Sequence, residues 1–369
     1  MGFFFKIGKR MALRKLYRAA TATNPAAQVL LGAAGMAVTA GAVYVASKRR
    51  KAVQNKVVVI AGGSRGLGLA LAQRFARGGA SLVLAARDPE ELLRARQLLL
   101  DRAAVRYAED VLLVPCDLSD EAEAADLIRR ATTHFGRVDV LINNAGIIQV
   151  GPVEEQPLAA FDEAMRVNFF SALNTVHAVL PQMLVRRSGT IVNIASIGGK
   201  LAVPHMLPYT ASKFALTGFS EGLHVELKSK GIHVTTVCPG LMRTGSHVKA
   251  EFRGQPEKEY QWFAAAAMLP GLSASTKRAA NRIFNAVAAR KAELIITPQA
   301  WLAARIHGLA PETTQAVAGI LNAWFLPEAP TGVKHAPVAQ GSELPQPEFK
   351  PIAAWNEHLQ RENNQSAGN

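Results

Sequence analysis

The first 56 residues contain no Asp or Glu, although they carry 11 Lys and Arg. That one-sided stretch supplies most of the formal net charge of +14, and the rest of the 369-residue chain holds 31 basic against 28 acidic residues. A nearly neutral body lacks the electrostatic footprint of a nucleic-acid-binding domain, so no nucleic-acid partner is expected. Cysteine is almost absent too. Cys116 and Cys238 are too few for a disulfide framework or a Cys-based zinc site, and neither CxxC nor HExxH occurs, so no metal is expected. The two thiols read as small buried hydrophobes in a reducing compartment. Charged residues make up only 19% of the chain against 49% hydrophobic, which excludes a disordered polymer and allows a large core.

The longest uncharged apolar run lies inside the basic arm. Val29–Ala46 is 18 residues, bracketed by Arg18 and by Lys48-Arg49-Arg50-Lys51. That is just spanning length. Ala and Gly dominate it and both flanks are basic, so flanking charge sets no orientation. Phe3-Phe4-Phe5 and the stretch from Lys6 to Arg18 suit an anionic lipid surface. A span, an interfacial helix, a helix packed on its own protein and a signal sequence with Ala40-Gly41-Ala42 as its small-residue site all remain open. The reading taken for residues 1–54 is an uncleaved membrane arm. Lys6 stands where N-myristoylation needs Ser or Thr.

Beyond residue 55 the pattern changes to short β-branched runs alternating with helix-length amphipathic stretches. Seven strands are predicted at Val57–Ala61, Leu82–Ala86, Val111–Cys116, Val138–Asn143, Thr190–Ala195, His233–Cys238 and Glu293–Thr297. They are nearly continuous in apolar residues, as befits strands covered by helices on both faces. The fold class is therefore α/β: a Rossmann-type, doubly wound, seven-stranded parallel sheet over residues 55–298. Residues 299–326 read as two apolar-faced helices broken at Ala310-Pro311. They form a helical cap or dimer element, or else a lipid- or substrate-facing element marked by Trp301, Trp324 and Phe325. Residues 327–369, punctuated by Pro327, Pro330, Pro337, Pro345, Pro347 and Pro351, read as a disordered tail.

The chemistry sits at the strand ends. The first strand runs into Ala61-Gly62-Gly63-Ser64-Arg65-Gly66-Leu67-Gly68 and then a helix. Glycine lets the backbone approach a pyrophosphate, and the helix N-terminus aims free N–H groups and its dipole at the anion. Tyr209 and Lys213 are four apart on a predicted helix, so they share one face. A free Tyr titrates near ~10, and a neighbouring ammonium is expected to lower the Tyr209 pKa toward working pH.

The spacing G-x-x-x-G-x-G resembles that of the short-chain dehydrogenase/reductase family, and further motifs follow in register. Asp117-Leu118 stands where that family's adenine-contacting Asp would be. Asn143-Asn144-Ala145-Gly146 resembles its NNAG motif, and Pro239-Gly240 with Thr244 resembles its nicotinamide-contacting segment. The resemblance implies Asn168, Ser196, Tyr209 and Lys213 as the catalytic set. Ser196 would polarise the substrate oxygen, Lys213 would also bond the nicotinamide ribose, and Asn168 would hold a water linking Lys213 to solvent. Ala61 departs from the family's usual Thr.

Arg65 in the turn and Arg87 after the second strand flank the expected 2′-phosphate site, and Asp88 falls one position late for a ribose-binding carboxylate. NADP(H) is the expected cofactor. The segment Gly245–Leu272 occupies the family's substrate-loop position. Its Phe252, Tyr260, Trp262, Phe263, Met268 and Leu269 either face the mouth or pack a lid helix. His205 either lines the site or is a plain loop histidine, and His177 reads as structural. Together with the membrane-like arm this favours a lipophilic carbonyl or alcohol substrate and a catalytic domain on the cytoplasmic side of a membrane. The competing class is a non-catalytic NADP(H)-binding sensor or membrane-recruited interaction protein. By analogy alone, a homodimer or homotetramer would pair through the helices that hold Asn168 and Tyr209.

Overall fold

The computed structural model describes residues 47, 51–268, 273–330, 338–345 and 360–365. The chain divides into Met1–Ala52 and Val53–Asn369, and the second unit carries the fold. Seven parallel strands form its main sheet: β1 (Val57–Ala61), β2 (Ser81–Ala86), β3 (Val111–Pro115), β4 (Val140–Asn143), β5 (Gly189–Ile194), β6 (Ile232–Cys238) and β7 (Glu293–Ile295), in spatial order β7-β6-β5-β4-β1-β2-β3. The order reverses at β1. A doubly wound sheet binds its ligands at such a switch point, outside the carboxyl ends of the strands.

Alternation along β1 and β2 feeds two core layers. Val58, Ile60, Leu82 and Leu84 pack on one face against α1 (Gly66–Ala76), α2 (Pro89–Asp101) and, further along the chain, the helix Thr276–Ala288. There the Phe75 and Phe284 rings meet edge-on at 5.1 Å, with the Arg74 guanidinium 3.4 Å from the Phe284 centroid. On the other face Val57, Val59, Val83 and Ala85 pack against α3 (Glu121–Phe135) and the helix Ser171–Arg186. Every residue of β1 is buried, which explains its unbroken apolar sequence. Asp88 caps α2 by accepting from the Glu90 and Glu91 N–H groups at 2.8 and 3.1 Å, with Pro89 in the first turn.

The helical stretch that begins at Leu158 is interrupted. It consists of α4 (Leu158–Met165), a π turn over Arg166–Phe170 and α5 (Ser171–Arg186). Then come α6 (Leu207–Leu227), α7 (Pro256–Met268) and α8 (Thr276–Ala288). The two C-terminal helices are α9 (Pro298–Leu309) and α10 (Pro311–Phe325), which break where Pro311 was expected to break them. Of α9 and α10 only Ala300 is buried, and Trp301, Trp324 and Phe325 are exposed.

Residues 327–369 are not uniformly a free tail, which corrects the expectation from their composition. Ala339–Gln340 pairs antiparallel with Glu251–Phe252, which in turn pairs with Gln149–Val150. Residues 360–365 dock on the glycine-rich turn, with Asn363, Asn364 and Gln365 buried. Backbone and amide hydrogen bonds hold them there, a kind of contact that leaves no hydrophobic pattern in the sequence. Among the described residues no helix is long and apolar enough to cross a membrane. The stretch Val29–Ala46 lies outside the described residues.

Candidate active site

At the end of β1 the chain reverses through a turn that only glycine fits. Gly62 has φ +81°, and a Cβ there would lie 2.7 Å from the Ala145 nitrogen. A Cβ at Gly68 would lie 1.9 Å from the Gly62 oxygen. These close approaches seat Asn144-Ala145-Gly146 against the turn, and Asn144 Nδ2 donates to the Gly62 oxygen at 2.8 Å. Below them Asn143, Asn193 and Thr175 form a buried hydrogen-bonded chain that stitches β4 to β5 and α5.

The first turn of α1, which includes Leu67, has no acidic residue, so its N-terminal dipole stays positive toward the turn. Ser64 Oγ donates to Glu91 Oε2 at 3.0 Å, and Arg65 Nη1 pairs with Glu91 Oε1 at 2.7 Å. Arg65 therefore already has a carboxylate partner, which the sequence reading did not foresee. Arg87 is exposed just past β2. Its charge acts on Asp117: burial pushes that carboxyl up, but two hydrogen bonds from Ser119, at 2.9 and 2.8 Å, and the charges of Arg87 and Arg166 outweigh it and hold Asp117 below the usual range. Leu118 beside it is buried.

Ser196 follows β5 and caps a short 3₁₀ turn by accepting from the Gly198 N–H at 3.0 Å. Tyr209 enters from the first turn of α6, and a Cβ at Gly198 would lie 3.3 Å from its Cε1 and 3.5 Å from Ser196 Oγ, so the two side chains flank one point. One turn on, Lys213 is buried, donates to the Ile194 carbonyl at 3.0 Å and holds its Nζ 5.7 Å from the Tyr209 ring centroid. Asn168 sits in the π turn, a feature that often marks functional sites. Its Oδ1 accepts from the Ile147 N–H at 2.8 Å and its Nδ2 donates to Ser212 Oγ at 2.9 Å, tying the end of the NNAG segment to α6. A Cβ at Gly146 would lie 2.8 Å from Asn168 Oδ1 and 3.4 Å from Lys213 Nζ, so a larger residue would have to push the Asn168 amide off the Ile147 N–H.

The electrostatics differ from the expectation for the Tyr–Lys pair. Burial raises the Tyr209 pKa above its ordinary value, and the nearby Ser196 hydroxyl only partly opposes this. Burial likewise lowers the Lys213 ammonium to about 8. In this arrangement desolvation dominates both groups, so the expected lowering of Tyr209 by Lys213 is not what the structure has. Both thiols are buried, and burial pushes Cys116 and Cys238 up to about 12. Neither is a nucleophile at neutral pH.

Pro239 accepts from the Ile197 N–H at 2.8 Å, Gly240 packs against Thr297, and Thr244 is buried with its Oγ1 accepting from the Ser246 N–H at 3.2 Å. A Cβ at Gly66 would lie 3.9 Å from the Thr244 Cβ, so the glycine-rich turn and the loop after β6 face each other.

The substrate-loop aromatics divide between the two roles expected of them. Phe252, Tyr260 and Phe263 are buried with Val150, Met206 and Ala264, so they fill the core of the lid rather than an open mouth. Ile148, Val203, Trp262 and Tyr209 border that cluster and are only partly buried. Leu269 lies outside the described residues, and His177 is exposed on α5. His205 has φ +59°, and its Nδ1 lies 2.7 Å from Glu259 Oε1, while Trp262 Nε1 donates to Glu259 Oε2 at 2.6 Å. Glu259, fully buried, thus fastens α7 to the loop preceding α6. Sequence reasoning missed it, although Glu259 precedes Phe263 by four and so shares the buried face of α7.

The description of short chain dehydrogenases as a family matches residues 56–253. The chain belongs to the short-chain dehydrogenase family. It is 35% identical over 260 residues to a dehydrogenase/reductase SDR family protein 7-like of Anopheles gambiae, covering 70% of this chain and 80% of that one. A D-beta-hydroxybutyrate dehydrogenase of Rhizobium meliloti is 33% identical over 189 residues, covering 51% of this chain and 72% of the relative. Among solved structures, levodione reductase is similar with a TM-score of 0.59 and 27% identity, covering 67% of this chain and 98% of the other. Members of this family are oxidoreductases that use nicotinamide dinucleotides, and this chain has their fold.

Proposed function

We propose that this short-chain dehydrogenase is an NADP(H)-dependent oxidoreductase that interconverts a carbonyl and an alcohol on a lipophilic small molecule, with Tyr209 as acid/base. The observation that carries the reading is the convergence of Ser196, Tyr209 and Lys213, with Ser196 Oγ and the Tyr209 ring at one point and the Lys213 Nζ 5.7 Å from the ring centroid, beside a turn whose Gly62 and Gly68 leave no room for a Cβ. That cradle fits a dinucleotide. Gly62 to Gly68 would hold the phosphates, Arg65 and Arg87 the 2′-phosphate, Asp117 and Leu118 the adenine, and the loop from Pro239 to Thr244 the nicotinamide end. NADP(H), when bound, supplies or accepts the hydride.

In reduction Tyr209 donates its proton to the substrate oxygen while Ser196 donates a hydrogen bond to the same oxygen. The nearby Lys213 cation favours the phenolate that this leaves, because opposite charges attract strongly in a dry site. Asn168 positions the pair by joining Ile147 to Ser212. The partly buried Ile148, Val203 and Trp262 beside Tyr209 support an apolar substrate. The apolar run Val29–Ala46 supports attachment to a membrane, with the catalytic domain on its cytoplasmic side.

The test is NADPH oxidation by detergent-solubilised protein against carbonyls running from short-chain to long-chain and polycyclic, with NADH and Tyr209→Phe as controls. Turnover that rises with substrate apolarity, weakens with NADH and falls about 10²–10⁴-fold in the Phe variant, the range for loss of a general acid, is expected. Unchanged turnover in the Phe variant sinks the assignment.

A further inference from the structure

The phosphate-binding turn is held by the chain's own C-terminal segment. The Gly66 N–H, at the start of α1, donates to the Asn363 carbonyl at 2.8 Å. Asn364, with φ +55°, donates from Nδ2 to the Ser64 oxygen at 2.9 Å and to the Glu91 oxygen at 3.2 Å. Gln365 lies between the two loops that face each other across the site. A Cβ at Gly66 would be 3.0 Å from its Nε2, and a Cβ at Gly245 would be 3.1 Å from its Cγ. The segment is itself a closed turn, its Gln365 N–H donating to the Gln360 carbonyl at 2.8 Å, and Arg102 at the end of α2 anchors it through the Glu362 carbonyl at 2.8 Å.

The contacts to Ser64, Gly66 and Gly245 fall on the turn and the facing loop that the cofactor reading assigns to the dinucleotide. A peptide carbonyl at a helix N-terminal N–H takes the position of a phosphate oxygen. The Gln365 side chain fills the space between turn and Thr244–Gly245 loop that a pyrophosphate would have to cross. The fit is good but incomplete. Asn363, Asn364 and Gln365 are all buried, yet Gln365 Oε1 has no hydrogen-bond partner among the described residues, so a better-matched ligand gains on replacing it.

We propose that residues 360–365 are an intramolecular strap that occupies the phosphate-binding turn and must leave before the dinucleotide can bind. This rests on the cofactor reading given above. A strap docked about nine-tenths of the time weakens apparent cofactor affinity about tenfold, since only the open fraction binds.

The experiment compares the full chain, a chain ending at residue 359 and Asn364→Ala, titrating NADPH and NADH by calorimetry and following backbone hydrogen exchange at residues 66–71 and 360–365. Tightening of NADPH binding by about tenfold in the shortened chain, a smaller gain in Asn364→Ala, and loss of protection at 360–365 when NADPH is added to the full chain are expected. Equal or weaker binding without the segment, or protection of 360–365 that persists with NADPH bound, overturns the strap and leaves the cofactor reading standing. Failure of every form to bind either dinucleotide overturns the cofactor reading and the strap together. If the shortened chain does not fold, Asn364→Ala and the exchange data on the full chain decide alone.

Discussion

Lys213 is a buried cation held against its own solvation, so the Tyr209–Lys213 pair should be a weak point in the fold. Lys213 is 4% exposed, its Nζ donates to the Ile194 carbonyl, and burial lowers its pKa from 10.5 to about 8. Between those two values the unfolded chain binds more protons than the folded one, so stability rises as pH climbs from about 8 toward 10.5. Below about 8 the folded protein carries the full penalty, about 3 kcal/mol at 1.36 kcal/mol per pKa unit. Lys213→Met removes that penalty but strands the Ile194 carbonyl, which costs about 1–3 kcal/mol. The net change at neutral pH is therefore small or stabilising.

Its pH dependence is the sharper quantity. Denaturant unfolding of wild type and Lys213→Met at pH 7 and pH 9.5 should show wild type gaining about 2 kcal/mol on the variant between the two, because every other titrating group is common to both. Turnover should be lost in the variant at both pH values. A wild-type-to-variant difference that stays constant, or moves the other way, would refute the claim that desolvation governs this lysine.

Gly68→Ala should abolish dinucleotide binding and lower Tm, because the added Cβ would meet the Gly62 backbone oxygen at 1.9 Å, an atom that can yield only by moving the turn. Gly218→Ala in α6, where nothing lies within 4 Å of the added atom, should instead stabilise by about 0.5–1 kcal/mol and raise Tm by a few degrees. Equal Tm shifts in the two would contradict the steric account. Glu259→Ala leaves the His205 and Trp262 ring nitrogens without their carboxylate partner and should cost about 1–3 kcal/mol, read by denaturant unfolding, with KM rising more than kcat falls. Asp139 is held below the ordinary carboxylate range: burial opposes this, but the Val57 N–H at 3.0 Å, Arg137 and Lys56 outweigh it. The stability it adds is present above about pH 4 and lost as pH falls through the lowered folded value, so Asp139→Asn should flatten the acid limb of a Tm-against-pH curve.

How far such a molecule can be read from sequence depends on what each feature contributes to the chain's pattern. Val57–Ala61 and its six partner strands were legible because burial on both faces demands unbroken apolar runs, and the observed ends differ from the expected ones by at most two residues. The placements of Ser64, Arg65, Asn168, Ser196, Tyr209 and Lys213 around one switch point were legible from ordered motifs. Features held by a few polar contacts were not. The π turn at Arg166–Phe170 and the two-residue strands leave no periodicity, and Phe252, Tyr260 and Phe263 are apolar whether they face a substrate or one another. Charge pattern likewise offered Arg65 as a free cation, since Glu91 is 26 positions away and only the approach of α2 to the turn pairs them. The docking of 360–365 is the extreme case. Its contacts are backbone carbonyls and amides meeting glycine, so the same backbone groups that make the turn competent to bind an anion also make it a place for a polar segment of the chain to bind.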